Sequence, residues 1–141
     1  MDELYRDQIL EHYKRPHNFG RLDEYDLDFE DTNPLCGDEQ HVFIKLDADD
    51  RVEAVSFEGQ GCAISTAATS LLTDELKGLT RDELLQLPKE KVLELLGIDI
   101  SATRMKCALL GLKAVKGASL GAVADWDDEG DPGDPTEAAN L

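Results

Sequence analysis

The stretch Gly59-Gln60-Gly61-Cys62-Ala63-Ile64-Ser65 constrains this chain more than any other. An apolar, strand-like segment, Val52 to Phe57, runs into it, and a run of helix formers and small residues leaves it. The glycines admit backbone angles that a side chain would forbid and allow a bound group to approach closely. Cys62 is thereby predicted at the first turn of a helix. Unpaired N–H groups and the positive end of the helix dipole favour an anionic sulfur there, the form that binds metal or attacks another sulfur. The rest of the chain then reads as scaffolding that carries Cys36, Asp38 and Cys107 to this one sulfur.

Upstream, Asp2 to Arg15 reads as a helix with Tyr5, Ile9, His12 and Tyr13 on one face, ended by Pro16. His17 to Gly20 is a turn, and His12 and His17 read as packing residues rather than ligands. Leu27 and Phe29 alternate with acids in a short half-buried strand. Thr32 to Asp38 is a loop rich in turn residues. Val42, Ile44 and Leu46 mark a second strand, Val52 to Phe57 a third, and the short connections imply antiparallel pairing. Ala63 to Lys77 is the helix opened by Cys62, with Gly78 as its C-cap. Thr80-Arg81-Asp82-Glu83 has the form of a capping box starting a short helix through Leu87. Pro88 suits a first helical position, with Gly97 as the stop. A last helix is predicted from about Ala102 to Lys116, ending at Gly117. Its buried stripe is Met105, Ala108, Leu109, Leu112 and Val115, and Cys107 lies off that stripe. Residues 1–122 form the predicted domain. From Val123 to Leu141 the composition turns acidic, rich in Gly and Pro, and is predicted to be a disordered tail.

Charge narrows the partners. Asp and Glu number 31 against 14 Lys and Arg, a formal net charge of −17, so nucleic acid and anionic membrane surfaces are excluded by repulsion. Such an acid excess is the surface expected of a halophilic protein, where salt screens self-repulsion. No apolar run approaches the ~20 residues needed to span a bilayer. Three cysteines, an odd number, argue against a disulfide framework and for a reducing cytoplasm.

No CxxC pair is present, and the cysteine spacing alone is weak. The local settings are stronger: Cys36 lies in a Pro/Gly loop two residues before Asp38, Cys62 follows a glycine turn, and Cys107 is near a helix start beside Arg104 and Lys106. Asn33-Pro34-Leu35-Cys36-Gly37-Asp38, the Gly59 to Ser65 stretch, and Arg104-Met105-Lys106-Cys107-Ala108 together resemble the three cysteine motifs of the U-type iron–sulfur cluster assembly proteins, the IscU, SufU and NifU N-terminal type. His12-Tyr13 through Pro16, Asn18, Phe19 and Gly20 is similar to that family's N-terminal segment. The resemblance runs in order from about Met1 to Gly117.

The resemblance implies an α+β fold, a three-stranded antiparallel sheet covered on one face by helices. It implies a site of Cys36, Cys62 and Cys107 with Asp38 as assisting ligand, holding a transient [2Fe–2S] cluster or Zn²⁺. It also implies a cysteine desulfurase as sulfur donor, with apo iron–sulfur proteins or downstream assembly proteins as recipients. Three thiolates suit either cargo, and one exchangeable oxygen donor suits a scaffold that must release it. Cys36, in its loop, is the expected persulfide acceptor, with Arg104 and Lys106 stabilising thiolate. Two roles stay open: a non-enzymatic scaffold, and a zinc-dependent sulfurtransferase. Lys106 stands where the IscU branch has histidine, and Ile100 to Arg104 lacks that branch's Leu-Pro-Pro-Val-Lys chaperone motif, so the chain is closer to the SufU branch. The short Cys62-to-Cys107 spacing lacks the SufU insertion. A three-cysteine zinc hydrolase with Glu58 as base finds no HxE or HExxH motif.

Overall fold

Alternation of apolar and polar residues gives three strands their two faces. The computed structural model describes residues 2–33 and 37–120. In it α1 (Asp2–Lys14) precedes β1 (Leu27–Asn33), β2 (Asp38–Leu46) and β3 (Val52–Gln60), followed by α2 (Ala63–Thr73), α3 (Arg81–Leu85), α4 (Lys89–Leu96) and α5 (Ala102–Leu120). The strands form one antiparallel sheet in the order β1-β2-β3. Leu27 and Phe29 of β1, Val42 and Ile44 of β2, and Val55 and Phe57 of β3 face the helices and build the core with α2, α4 and α5. This is the expected α+β architecture. The opposite face is not bare. Phe43 is fully buried there, with His41 stacked on its ring, Tyr25 edge-on to it and the Arg21 guanidinium over it.

The free edge of β3 is closed by short bridges. Phe57 donates to the carbonyl of Asn18 and accepts from the N–H of Gly20, while Val52 exchanges hydrogen bonds with Gly78 and Leu79. At the other edge Asp28 and Glu30 of β1 are exposed, and such charges discourage pairing with a second sheet.

Several boundaries differ from the sequence reading. The strands β1 and β2 reach Asn33 and Asp38, so Thr32, Asn33 and Asp38 of the predicted loop belong to the sheet. α2 stops at Thr73 rather than Lys77. Asp74 caps it while its carboxylate is held by His17 and Asn18, and Gly78 is drawn to the β3 edge instead of capping the helix. Both bonds of the Thr80–Glu83 capping box are present, yet α3 ends at Leu85. Pro88 is the N-cap of α4 rather than its first residue, and Gly97 ends the helix in the left-handed conformation. α5 continues through Gly117 to Leu120, because that glycine lies against the Phe29 ring, where a Cβ would come within 2.6 Å.

The larger correction concerns α5. Instead of one buried stripe, nearly every residue from Cys107 to Ser119 is buried, Cys107 included. The helix lies between the sheet, through β1 and β2, and the layer of α2, α3 and α4, and a helix covered on both sides has no solvent face to reveal by periodicity. Among the described residues no helix is long and apolar enough to cross a membrane. The predicted tail, 123–141, lies outside the described residues, as do the last two residues of the predicted domain, 1–122.

Candidate metal centre

Three segments far apart in sequence meet at the end of the sheet where β3 passes into α2. Asp38 opens β2 opposite Asn33 of β1 and is 4% exposed. The connection between these strands is narrowed by a hydrogen bond from Gly37 N–H to the Asn33 carbonyl, 2.8 Å. Cys36, predicted in this connection, lies outside the described residues.

Cys62 is the N-cap of α2, in an extended conformation (φ −74°, ψ 172°). Its sulfur occupies the place of a capping serine oxygen: Ser65 N–H points at Sγ from 3.5 Å. Its own N–H donates to Asp38 Oδ1 at 3.2 Å, which ties the carboxylate to the helix start. The two glycines before it leave no room for a Cβ. A Cβ on Gly59, whose φ is +144°, would strike the Glu39 carbonyl, and one on Gly61 would strike the Ser65 hydroxyl and lie 3.1 Å from the Asp38 carboxyl carbon. The glycines are therefore there for close packing, Gly59 onto the β2 backbone at Glu39 and Gly61 onto Asp38 and Ser65.

Cys107 comes from the second turn of α5 and is 3% exposed. Its Sγ accepts a hydrogen bond from Asn33 Nδ2 at 3.8 Å. One donor atom each from Asp38, Cys62 and Cys107 lies within 4.8 Å of the others, and no other such group of His, Cys, Asp and Glu occurs among the described residues. No disulfide joins Cys62 to Cys107.

The donor chemistry fits a soft or borderline metal. Two sulfurs and one carboxylate suit Zn²⁺ or iron–sulfur cargo better than a hard cation. Asp38 Oδ2 is buried and has no hydrogen-bond partner among the described residues. An unsatisfied buried oxygen costs about 1–3 kcal/mol, and a cation held by this group would remove that cost.

Of the predicted site residues, then, the structure gathers Asp38, Cys62 and Cys107. Arg104 is exposed on the first turn of α5 and Lys106 is half-buried beside Cys107. Asn33 and Ser65, which contact the two sulfurs, escaped the sequence reading. Ser65 carried a signal, its place three residues after a capping position. Asn33 did not, because its nearness to Cys107 depends on strand register and on how α5 packs.

The two histidines are packing residues. His12 Nδ1 lies 2.6 Å from Ser70 Oγ, and His17 donates its N–H to the same oxygen at 2.7 Å. The His17 ring meets the Asp74 carboxylate at 2.6 Å. Burial, and then the nearby His17, hold the His12 pKa below its ordinary value, against smaller opposing effects of Asp74 and Glu11.

A three-stranded sheet whose helix-facing end converges cysteine sulfurs and one aspartate belongs to a known class: the chain is a member of the NifU-like N-terminal domain family, whose model matches residues 4–126. Among individual proteins, it is 36% identical over 135 residues to the iron–sulfur cluster assembly scaffold protein IscU of Streptococcus pyogenes, with 84% of each chain covered. It is 35% identical over 133 residues to the zinc-dependent sulfurtransferase SufU of Bacillus subtilis, covering 82% of this chain and 89% of that one. A crystal structure of a protein described as hypothetical superposes with a TM-score of 0.72 at 34% identity, over 85% of this chain and 99% of the other. The Fervidobacterium islandicum protein FiSufU, 24% identical, shares the fold with a TM-score of 0.67, over 80% of this chain and 94% of the other.

Proposed function

We propose that this chain is an iron–sulfur cluster assembly scaffold, which receives sulfur and iron, holds the nascent cluster and gives it up to apo-proteins. The observation that carries this reading is the convergence of donor atoms of Asp38, Cys62 and Cys107 within 4.8 Å, beside a buried Asp38 Oδ2 that has no hydrogen-bond partner among the described residues. Cys36, two residues before Asp38, completes a set of three sulfurs and one oxygen. The oxygen is the exchangeable donor, and it allows release that four sulfurs would resist. A cysteine desulfurase is the fitting sulfur donor and apo iron–sulfur proteins the recipients. Three cysteines acting as thiolate ligands suit a reducing compartment such as the cytoplasm.

In this reading Cys36 takes the sulfur. Its thiolate attacks the terminal sulfur of the desulfurase persulfide. A new S–S bond forms on Cys36 as the donor's S–S bond breaks, and the donor cysteine leaves as thiolate, with no net change in electrons. Cys62 is fixed as a helix cap and Cys107 is buried in α5, so neither can swing toward a partner without loss of packing. Arg104 and Lys106 supply positive charge at the start of α5 while the site is anionic. The expected result is that incubation with a desulfurase and cysteine labels Cys36 first, read by mass spectrometry of trapped thiols; labelling that begins at Cys107 would refute this assignment.

A second reading, a zinc-bound sulfurtransferase, is favoured by Lys106 and by the likeness to SufU. Bound to the same four residues, Zn²⁺ would hold the cysteines as thiolates at neutral pH. Anaerobic purification with metal and sulfide analysis separates the two. Brown protein with labile sulfide supports the scaffold; one equivalent of zinc without colour supports sulfur transfer.

A further inference from the structure

We propose that Asn33 is a positioning residue of the metal centre, which sets both the place and the electron-donating strength of the Cys107 sulfur. The inference rests on the reading of Cys36, Asp38, Cys62 and Cys107 as metal ligands. Asn33 is 6% exposed and ends β1 directly opposite Asp38. Its side-chain amide donates to Cys107 Sγ at 3.8 Å, across 74 residues of sequence. Its main-chain carbonyl accepts from Gly37 N–H at 2.8 Å, closing the connection that contains Cys36. One residue therefore holds the hairpin that carries two of the ligands and touches the sulfur of a third.

An N–H bond to a thiolate does two things. It fixes the rotamer in which the sulfur faces the site, and it draws electron density from sulfur, weakening its donation to a metal. Hydrogen bonds to ligand sulfurs tune reduction potential by the same effect, and partners of metal ligands typically govern affinity by about 10–100-fold. Asn suits this task. It is short enough to stay at the strand end, uncharged, and a donor through –NH₂. Aspartate has the same shape and no donor. Leucine has a similar volume and no polar group. Glutamine keeps the donor one methylene further out.

The test uses Co²⁺ with the reduced full chain, because thiolate-to-cobalt charge-transfer bands report directly on sulfur. Asn33→Leu and Asn33→Asp should each move these bands to longer wavelength, because the sulfur regains electron density, and weaken Co²⁺ binding by about 10–100-fold, because loss of the fixed rotamer outweighs the stronger donation. Asn33→Gln should return the bands toward the wild-type position. Weaker binding with unmoved bands would overturn the proposal, because a merely loosened hairpin gives that result. Wild-type bands and affinity in both the Leu and Asp variants would overturn it too, while leaving the metal centre standing. Absence of thiolate-to-cobalt bands from the wild-type protein would overturn the metal centre and this inference together. Thermal unfolding identifies variants that fail to fold, and the shape-conserving Asn33→Asp variant keeps the test decisive if Asn33→Leu is one of them.

Discussion

Gly61→Ala tests how closely the glycine turn is fitted to the site. The backbone itself does not forbid alanine, since Gly61 lies outside the left-handed region. The obstacle is space. The new methyl would strike Ser65 Oγ and press on the Asp38 carboxyl carbon at 3.1 Å and its Cβ at 3.3 Å. Ser65 Oγ can rotate away from its bond to the Cys62 carbonyl, but Asp38 is fixed in a strand and tied to Cys62 N–H. Overpacking of this kind costs about 1–3 kcal/mol. Replacing glycine returns about 0.4–1 kcal/mol by stiffening the unfolded chain. A net loss of about 1–2 kcal/mol follows, a factor of about 5–30 in the folded-to-unfolded ratio. Urea unfolding of the reduced, metal-free protein measures it. Ser65→Ala alone should cost little, because the Cys62 carbonyl also accepts from Thr66 N–H. In the double variant the methyl enters the space left by the hydroxyl, so Gly61→Ala/Ser65→Ala should be more stable than the sum of the singles by about 0.5 kcal/mol or more. An alanine variant as stable as wild type, or strict additivity in the double variant, would refute this packing argument.

The other predictions concern ligands and pH. Cys36→Ser, Cys62→Ser and Cys107→Ser should each abolish tight Zn²⁺ or cluster binding, since each removes one of three thiolates from a four-donor set and leaves the tetrahedron incomplete; full metal retention measured in any one removes that residue from the centre. Asp38→Ala should still assemble a cluster but pass it on more slowly, because the exchangeable oxygen is gone; failure to assemble at all would show Asp38 to be essential for binding instead. His12 has a folded pKa below its ordinary 6.5, so the unfolded chain binds the proton more readily. Its contribution to stability is full above that value and is lost as pH falls through it toward the lower folded pKa. Urea midpoints measured from about pH 8 down to pH 5 should fall more steeply for wild type than for His12→Gln, and parallel curves would exclude the effect.

Much of the sheet was legible because Leu27 and Phe29, Val42 and Ile44 show their period directly. The Thr80–Glu83 capping box was legible because its bonds are local. What failed was set by distant partners. The end of α2 is fixed by His17 and Asn18, more than fifty residues upstream of Asp74, and nothing within the helix announces it. Burial of Cys107 came as a surprise because the small residues of α5, Gly111 and Ala114 among them, look neutral in sequence and are buried only through packing on both sides. In the site, residue types and local settings singled out Asp38, Cys62 and Cys107. The contact of Asn33 with the third sulfur needs strand register and the docking of α5, neither of which the sequence states.

The way α1 is attached has a consequence for motion. Ile9 is the one buried apolar side chain among its described residues, while Leu4, Leu10 and Tyr13 face solvent. Beside it the Tyr5 ring lies against Gly97, and a polar seam begins with His12 on Ser70 and continues past the helix, where His17 and Asn18 grip Ser70, Thr73 and Asp74. Hydrogen bonds contribute about 0.5–1.5 kcal/mol each and can be exchanged for water, unlike a buried apolar stripe. The helix is thus a detachable unit, whose amides should trade hydrogen for deuterium through a local opening that leaves the sheet and α5 closed. Its release would uncover one side of α2 and leave Cys62, at the helix's other end, in its cap.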